Sequence, residues 1–360
     1  MYCTHVLPTV FFAATCIFTV SCDLSPPQHA ANSTKGKFVV GVIAGGTTTF
    51  WKSAEYGAIQ TAEKNDLHLL WQETSLPDDF EQQSVAIRNF VSRRVHGMII
   101  ASQNELMIRD TLRRAKDQGV HVLLMDCPPL PHPDTSDSQI SVVATDQFHA
   151  GQLAAEELAS LLQEKGRVAI IRYSPLSLKT EHRENGFLAQ IQSYPEIDVV
   201  GQDLYTGMDP RLAHDKMENF LQLYSQNGNS SINGIFISDE STACEMLSLL
   251  KQDKMEKIIH FVAFGSDSRL TSGMLTYFVD TLFVEQPVRM GQLAVDTMAE
   301  MLRGKTIDPF LDSGVHRITI DNLFSPYTQA LLHPTVENSL EILLNKFPDI
   351  NFDKTYEDGQ

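Results

Sequence analysis

The stretch Phe38-Val39-Val40-Gly41-Val42-Ile43, running on through Thr47-Thr48-Thr49-Phe50-Trp51 to Gly57, decides the fold. Its first six residues are apolar or glycine without a break, which suits a strand covered on both faces. A half-exposed strand would alternate apolar with polar residues. The polar turn that follows leads into Trp51–Asn65, where the pattern changes to helical spacing. A buried strand feeding an amphipathic helix is a βα unit, and such units recur along the chain. Further candidate strands are Leu67–Trp71, Met98–Ala101, Val120–Asp126, Ile140–Ala144, Val168–Arg172, Ile235–Ser238, Ile259–Phe264, Phe278–Val284 and Ile318–Ile320. Between them lie helical patterns such as Phe80–Arg93, Glu105–Gln118, Gln147–Glu164 and Val288–Arg303. Repeated βα units build doubly wound parallel sheets. With 360 residues, 42% of them hydrophobic, the chain can bury two such cores. The expected fold class is therefore α/β, in two doubly wound parallel-sheet lobes.

In open sheets of this kind ligands sit beyond the carboxyl ends of the strands. The residues to inspect are Ala44–Trp51, Ser102–Asn104, Asp126-Cys127, Thr145-Asp146, Tyr173–Arg183, Asp239-Glu240, Gly265–Asp267 and Glu285–Pro287. Several carry carboxylates or hydroxyls, and the first carries two adjacent aromatics. The formal net charge of -17 argues against nucleic acid, whose binders neutralise phosphates with Lys and Arg. No phosphate-cradling, nucleophile-elbow, zinc-protease or paired CxxC motif occurs, and the twelve histidines are scattered. Gly41 with Gly45-Gly46 is not the dinucleotide fingerprint. The expectation is a protein without catalytic residues, metal or cofactor.

The first 21 residues contain no Asp, Glu, Lys or Arg, and Val6–Val20 is an apolar run ending in small residues. That reads as an export signal over 1–21, too short for a comfortable membrane span. Thr19-Val20-Ser21-Cys22 resembles a bacterial lipobox, which makes Cys22 the candidate lipidation site. Residues 22–36 then read as a tether to the membrane, rich in Pro, Ser, Asn and Ala. Of five cysteines, Cys127 and Cys244 remain in the folded part, with no spacing that implies a disulfide framework.

The ordered motifs resemble the ribose-binding type of periplasmic binding protein, the type I fold shared with lactose-repressor-like regulators. The opening strand, polar turn, aromatic pair and Gly57 are similar to that family's start. So are Val95-His96-Gly97-Met98-Ile99-Ile100-Ala101 and Gly119-Val120-His121-Val122-Leu123-Leu124-Met125-Asp126. Thr145-Asp146 with Ala150-Gly151 resembles the first lobe crossing. Arg183-Glu184-Asn185-Gly186-Phe187 resembles the "R-x-x-G-F" helix start, and Ile232–Glu240 resembles "I-x-A-I-F-x-x-N-D". The resemblance runs from about Lys37 to Ile320. It implies an N-terminal lobe of 37–144 plus 286–317 and a C-terminal lobe of 147–283 plus 318–340. A three-strand hinge would join them, near Thr145, Val284–Gln286 and Gly314–Arg317. Residues 341–360 are left as a tail, in which Leu340–Asn345 suits either a packed helix or a partner contact.

The resemblance further implies a site that closes on a sugar or polyol. Carboxylates and amides would meet the hydroxyl rim, and aromatic rings the C–H faces. Carried over position by position, the ligand-binding candidates are Thr47, Thr48, Phe50, Trp51, Asp126, Arg183, Met208, Asp239, Asp267 and Glu285. Cys127 stands where the family often has Arg, Asp239 where Asn is commoner, and Gly265 where Asp is usual. Three carboxylates against one arginine favour a donor-rich ligand, a polyol or sugar with or without an amino group, and disfavour an anion. The implied role is delivery of that ligand to a membrane permease of the ABC type. A ligand-sensing receptor that controls a histidine kinase or chemoreceptor is the alternative, and a glycoside-acting enzyme is the minor one.

Overall fold

The computed structural model describes residues 38–75, 79–102, 107–127, 140–207, 209–226, 229–255, 257–334 and 339–345. Its strands are β1 (Phe38–Ala44), β2 (Leu67–Glu73), β3 (Gly97–Ala101), β4 (His121–Met125), β5 (Ser141–Ala144), β6 (Lys165–Ile171), β7 (Glu196–Val200), β8 (Ser225–Gln226), β9 (Asn229–Ser230), β10 (Gly234–Ile237), β11 (His260–Phe264), β12 (Thr281–Glu285), β13 (Phe310–Asp312) and β14 (Val315–Ile318). Its helices are α1 (Thr49–Lys64), α2 (Phe80–Ser92), α3 (Arg109–Asp117), α4 (Gln147–Leu161), α5 (Leu178–Ile191), α6 (Pro210–Tyr224), α7 (Glu240–Gln252), α8 (Ser268–Leu275), α9 (Pro287–Leu302), α10 (Pro326–Leu332) and α11 (Ser339–Asn345).

Two six-stranded sheets carry the fold, in the orders β13-β5-β4-β3-β1-β2 and β14-β12-β11-β10-β6-β7. Both start in the interior, step outward once, and then cross to the other side. The switch points therefore fall beside β1 and β6, and the loops after those two strands are where a ligand crevice opens. Side chains on each strand alternate between two cores. In β1, Val40, Val42 and Ala44 face the α1/α9 layer, while Ile43 faces the α2/α3 layer. In β10, Ile235 and Ile237 join one core and Phe236 the other, where it stacks on Phe187 with centroids 4.1 Å apart. Double coverage explains the unbroken apolar runs in the sequence.

Each lobe also contains one very close helix crossing built on a reciprocal pair of glycines. A Cβ on Gly57 of α1 would lie 2.1 Å from the Val288 carbonyl oxygen, and one on Gly291 of α9 2.0 Å from that of Ala54. In the second lobe, a Cβ on Gly151 of α4 would lie 1.9 Å from the Arg183 oxygen, and one on Gly186 of α5 1.9 Å from that of Phe148. Backbones approach this closely only where no side chain intervenes. The second crossing fixes the helix that carries Arg183.

The chain passes between the sheets after β5, after β12 and between β13 and β14. These passages are laced together. Asp312 accepts from the Asp146 and Gly314 N–H groups at 2.9 and 2.7 Å, and the Thr145 and Ser313 hydroxyls lie 3.2 Å apart. One expected boundary shifts. Val315–Arg317 pair antiparallel with β12, so they belong to the second sheet and not to the first lobe. Gly314, at φ +74°, supplies the left-handed turn that sends β14 back across the gap. The expected strand Ile318–Ile320 accordingly ends where it was to begin, at Ile318. Helix α11 packs on α10, α9 and α1 with Leu343 buried, so the packed-helix reading of Leu340–Asn345 holds. Residues 1–37, with the export signal, Cys22 and the tether, lie outside the described residues, as do Met208 and the tail from 346 onward.

Candidate functional site

The first lobe reaches the gap between the sheets with two main groups. At the end of β4 the backbone turns left-handed at Asp126, φ +51°, a conformation that Asp tolerates better than most residues. Its N–H donates to the Val143 carbonyl at 3.0 Å, and its carboxylate swings toward the second lobe. Phe50, in the first turn of α1, presents its ring to the gap beside Thr49 and Ser53. Cys127 turns inward and is buried in the first lobe's core.

The second lobe supplies most of the polar groups. Ser177 caps α5, and Lys179 and Arg183 follow four residues apart, on one face of the helix. Arg183 is buried. It donates from Nε to Gln147 Oε1 at 2.9 Å and from Nη1 to the Ser238 carbonyl at 2.6 Å, and lies 3.8 Å from the Phe264 ring centroid. Its Nη2 is 3.5 Å from Glu285 at the end of β12. Lys179 Nζ lies 2.9 Å from Glu285 Oε2 and 3.0 Å from Asp126 Oδ1, so one ammonium joins carboxylates from both sheets. Behind this layer Glu184, fully buried, pairs with Arg172 at 2.7 Å and accepts from the Tyr173 N–H and Ser238 hydroxyl. That support keeps α5 and the end of β10 in register.

These groups border a cavity of 610 Å³ lined, among others, by Phe50, Tyr173, Lys179, Arg183, Asp239 and Glu285. Burial raises the Asp126 pKa, and Lys179 only partly opposes it. Burial would also raise that of Glu285, but Lys179 and then Arg183 hold it below the usual carboxylate range. For Lys179, burial disfavours the ammonium, yet Asp126 and Glu285 outweigh it and leave the pKa raised. Tyr173 keeps its proton more firmly than usual, through burial and then the nearby Asp239.

Among the residues singled out from sequence, Phe50, Arg183, Asp239 and Glu285 line this cavity, and Asp126 adjoins it through Lys179. Four others are placed elsewhere. Trp51 is 6% exposed and packs in the first lobe's core over Gly45, where a Cβ would lie 2.7 Å from its ring. Thr47 and Thr48 are exposed and do not line the cavity; Thr48 occupies the N-cap of α1, and Thr49 and Ser53 line the cavity instead. Asp267 caps α8 and holds Arg269 through two bonds of 2.9 and 2.7 Å, which is a structural duty. Its pKa is lowered, chiefly by that Arg269 bond. Asp239 also caps a helix, α7, accepting from Thr242 N at 2.9 Å, while still facing the cavity. Lys179 and Glu240 fell within the strand-end segments singled out from sequence but were not chosen as ligand-binding candidates, and Gln147 lay outside those segments. The available signals were the four-residue spacing from Lys179 to Arg183 and the position of Gln147 directly after the Thr145-Asp146 crossing.

Two like-ordered parallel sheets, three passages between them and a polar cavity at the facing switch points are matched at the level of sequence families. Residues 38–306 match the periplasmic binding protein domain. The chain belongs to that family. This periplasmic binding protein is 21% identical over 303 residues to the ribose import binding protein of Bacillus subtilis (strain 168), covering 83% of this chain and 94% of the relative. It is 22% identical over 271 residues to the D-xylose-binding periplasmic protein of Escherichia coli (strain K12), covering 73% and 75%. Among solved structures, an ABC transporter solute-binding protein from Burkholderia graminis C4D1M, in complex with D-arabinose, superposes with TM-score 0.65 at 24% identity. That match covers 81% of this chain and 98% of the neighbour. At such identities the structural likeness shows the fold.

Proposed function

We propose that this periplasmic binding protein is an extracytoplasmic receptor that closes its two lobes on a sugar or polyol and delivers it to an ABC-type permease. The observation that carries the reading is the convergence of Asp126 and Phe50 from one lobe with Lys179, Arg183 and Glu285 from the other. Planar guanidinium, carboxylates and an aromatic ring are the groups that a hydroxylated ring engages at its rim and faces. A ligand touching both walls stabilises the closed arrangement by the difference between its affinities for the two states. The names of the relatives, binding proteins for ribose and D-xylose, support a sugar such as a pentose as cargo.

The lobes in this reading are 37–144 with 286–312, and 147–285 with 315–332, and the passages between them act as hinge. The proposal extends to the N-terminus. Residues 1–21 direct export, Cys22 carries lipid, and 22–36 tether the receptor to the membrane. Among the described residues no helix is long and apolar enough to cross a membrane. No catalytic step is assigned to the site. Calorimetric titration with ribose, xylose, arabinose and fucose tests the central claim, with each sugar recovered afterwards. Saturable binding of unaltered sugar, weakened by Arg183→Met, supports it. Absence of binding across pentoses and hexoses, or recovery of a chemically changed sugar, overturns it. Metabolic labelling with palmitate, lost on Cys22→Ser, tests the anchor.

A further inference from the structure

We propose that Lys179 sets the charge class of the ligand: its ammonium is a built-in counter-ion that reserves the site for uncharged polyhydroxy compounds and bars those bearing an ammonium. The inference rests on the sugar-binding reading and names the substrate class within it. Counted by residue type alone, the strand-end carboxylates invite a cationic ligand such as an amino sugar. The structure shows that the place is already taken. Lys179 Nζ lies 3.0 and 3.4 Å from the two Asp126 oxygens and 2.9 Å from Glu285 Oε2. These contacts occupy the ammonium's three donors. The Phe50 ring, its centroid 5.4 Å from Nζ, covers the same cation from the first lobe.

The other charged groups of the cavity also have partners within the protein. Arg183 stands against Glu285, bonded through Gln147, which itself donates to Glu285 Oε1 at 2.5 Å. Asp239 accepts from the Ser241 hydroxyl at 2.6 Å and sits at the N-terminus of the thirteen-residue helix α7, where the dipole favours an anion. Glu240 accepts from the backbone N–H of Asp267 at 2.9 Å. The place between Asp126 and Glu285 is thus filled, and a second ammonium brought to it would stand against Lys179. Hydroxyl groups meet no such penalty. They can accept from Arg183 and donate to the carboxylate lone pairs that remain. Lys179 belongs to none of the motifs that carry the family resemblance. It adds selectivity to a site that family pattern and residue type would leave open to amines.

The test compares neutral sugars with their 2-amino counterparts, D-glucose with D-glucosamine and D-galactose with D-galactosamine, by calorimetry on the full chain at neutral pH. The wild type is expected to bind the better neutral sugar roughly tenfold or more tightly than its amine. Lys179→Met should reverse that order, and Lys179→Arg should preserve it. A wild type that binds the amine equally well, or a Lys179→Met protein with an unchanged ratio, overturns the proposal. So does tighter binding of D-galacturonate than of D-galactose. A second arm needs no sugar. Methylammonium should raise the melting temperature of Lys179→Ala by filling the vacated place, whereas methanol should not, and neither should shift the wild type. Failure of that rescue refutes the counter-ion role even where sugars bind. Rescue without any sugar binding instead removes the sugar reading and leaves the exclusion of cations standing.

Discussion

Asp126 on the first wall of the cleft and Glu285 on the second share one partner, Lys179, yet their environments push them in opposite directions. Glu285 also has Arg183 and Gln147, so its charge is well supported and its pKa falls. Asp126 has burial against it, opposed chiefly by the shared ammonium and more weakly by Arg183, and its pKa rises. The second lobe thus carries a polar network that is largely satisfied internally. The first lobe carries a carboxylate short of donors. That asymmetry suits a receptor in which the ligand settles on a prepared second lobe and completes the first on closure. The pair of glycine crossings repeats the contrast, since the one in the second lobe positions Arg183 itself.

The largest expected effect comes from filling those crossings. Gly186→Ala or Gly151→Ala forces a methyl group into backbone and should cost about 3 kcal/mol of stability, the upper end for overpacking. Gly57→Ala or Gly291→Ala should cost a similar amount in chemical denaturation. The lobes should differ in ligand affinity, because only the second crossing moves Arg183, and equal losses of affinity at both crossings would break the comparison. Next come the two carboxylates. Glu285→Gln should destabilise by about 2 kcal/mol, the scale of a hydrogen-bonded charge, whereas Asp126→Asn should leave stability unchanged or slightly improved. Acid sharpens the contrast. With its folded pKa lowered from 4.5, Glu285 contributes stability that is present above 4.5 and lost as pH falls through the folded value. With its folded pKa raised from 3.8, Asp126 binds its proton more tightly in the fold and works the other way over its own window. Acid melts of the two variants against wild type should therefore diverge in opposite senses.

Smaller effects follow. Asp267→Ala should remove the cap of α8 at a cost of about 1 kcal/mol while leaving ligand affinity untouched, as its place at a helix end requires. A fall in affinity would return Asp267 to the site. Last, Lys179 has a folded pKa raised above 10.5, so its contribution is complete below 10.5 and disappears as pH rises through the folded value. Wild type and Lys179→Met should converge in melting temperature over that alkaline range. The difference lost should be less than about 1 kcal/mol, in keeping with a pair that retains some solvent contact.

Much of the architecture was legible in the chain because a strand covered on both faces leaves an unbroken apolar signature, and Gly57, Gly151 and Gly186 stand where two helices touch through their backbones. Asp126, Arg183, Asp239 and Glu285 were legible as strand-end or helix-start residues, which βα topology sends to one rim. Adjacent positions were not separable in the same way. Phe50 and Trp51 differ by one residue, which on a helix is a rotation of about 100°, and the backbone at Gly45 decides which ring enters the core. Nor could charge counting foresee Lys179, whose bond to Asp126 spans 53 residues of sequence. Local periodicity, a property of neighbours in the chain, was enough to determine two doubly wound lobes and the loops that border their cleft. The pairing of charges across that cleft is a property of distance in space, so only the folded arrangement of both sheets could decide which groups are spoken for and which await a ligand.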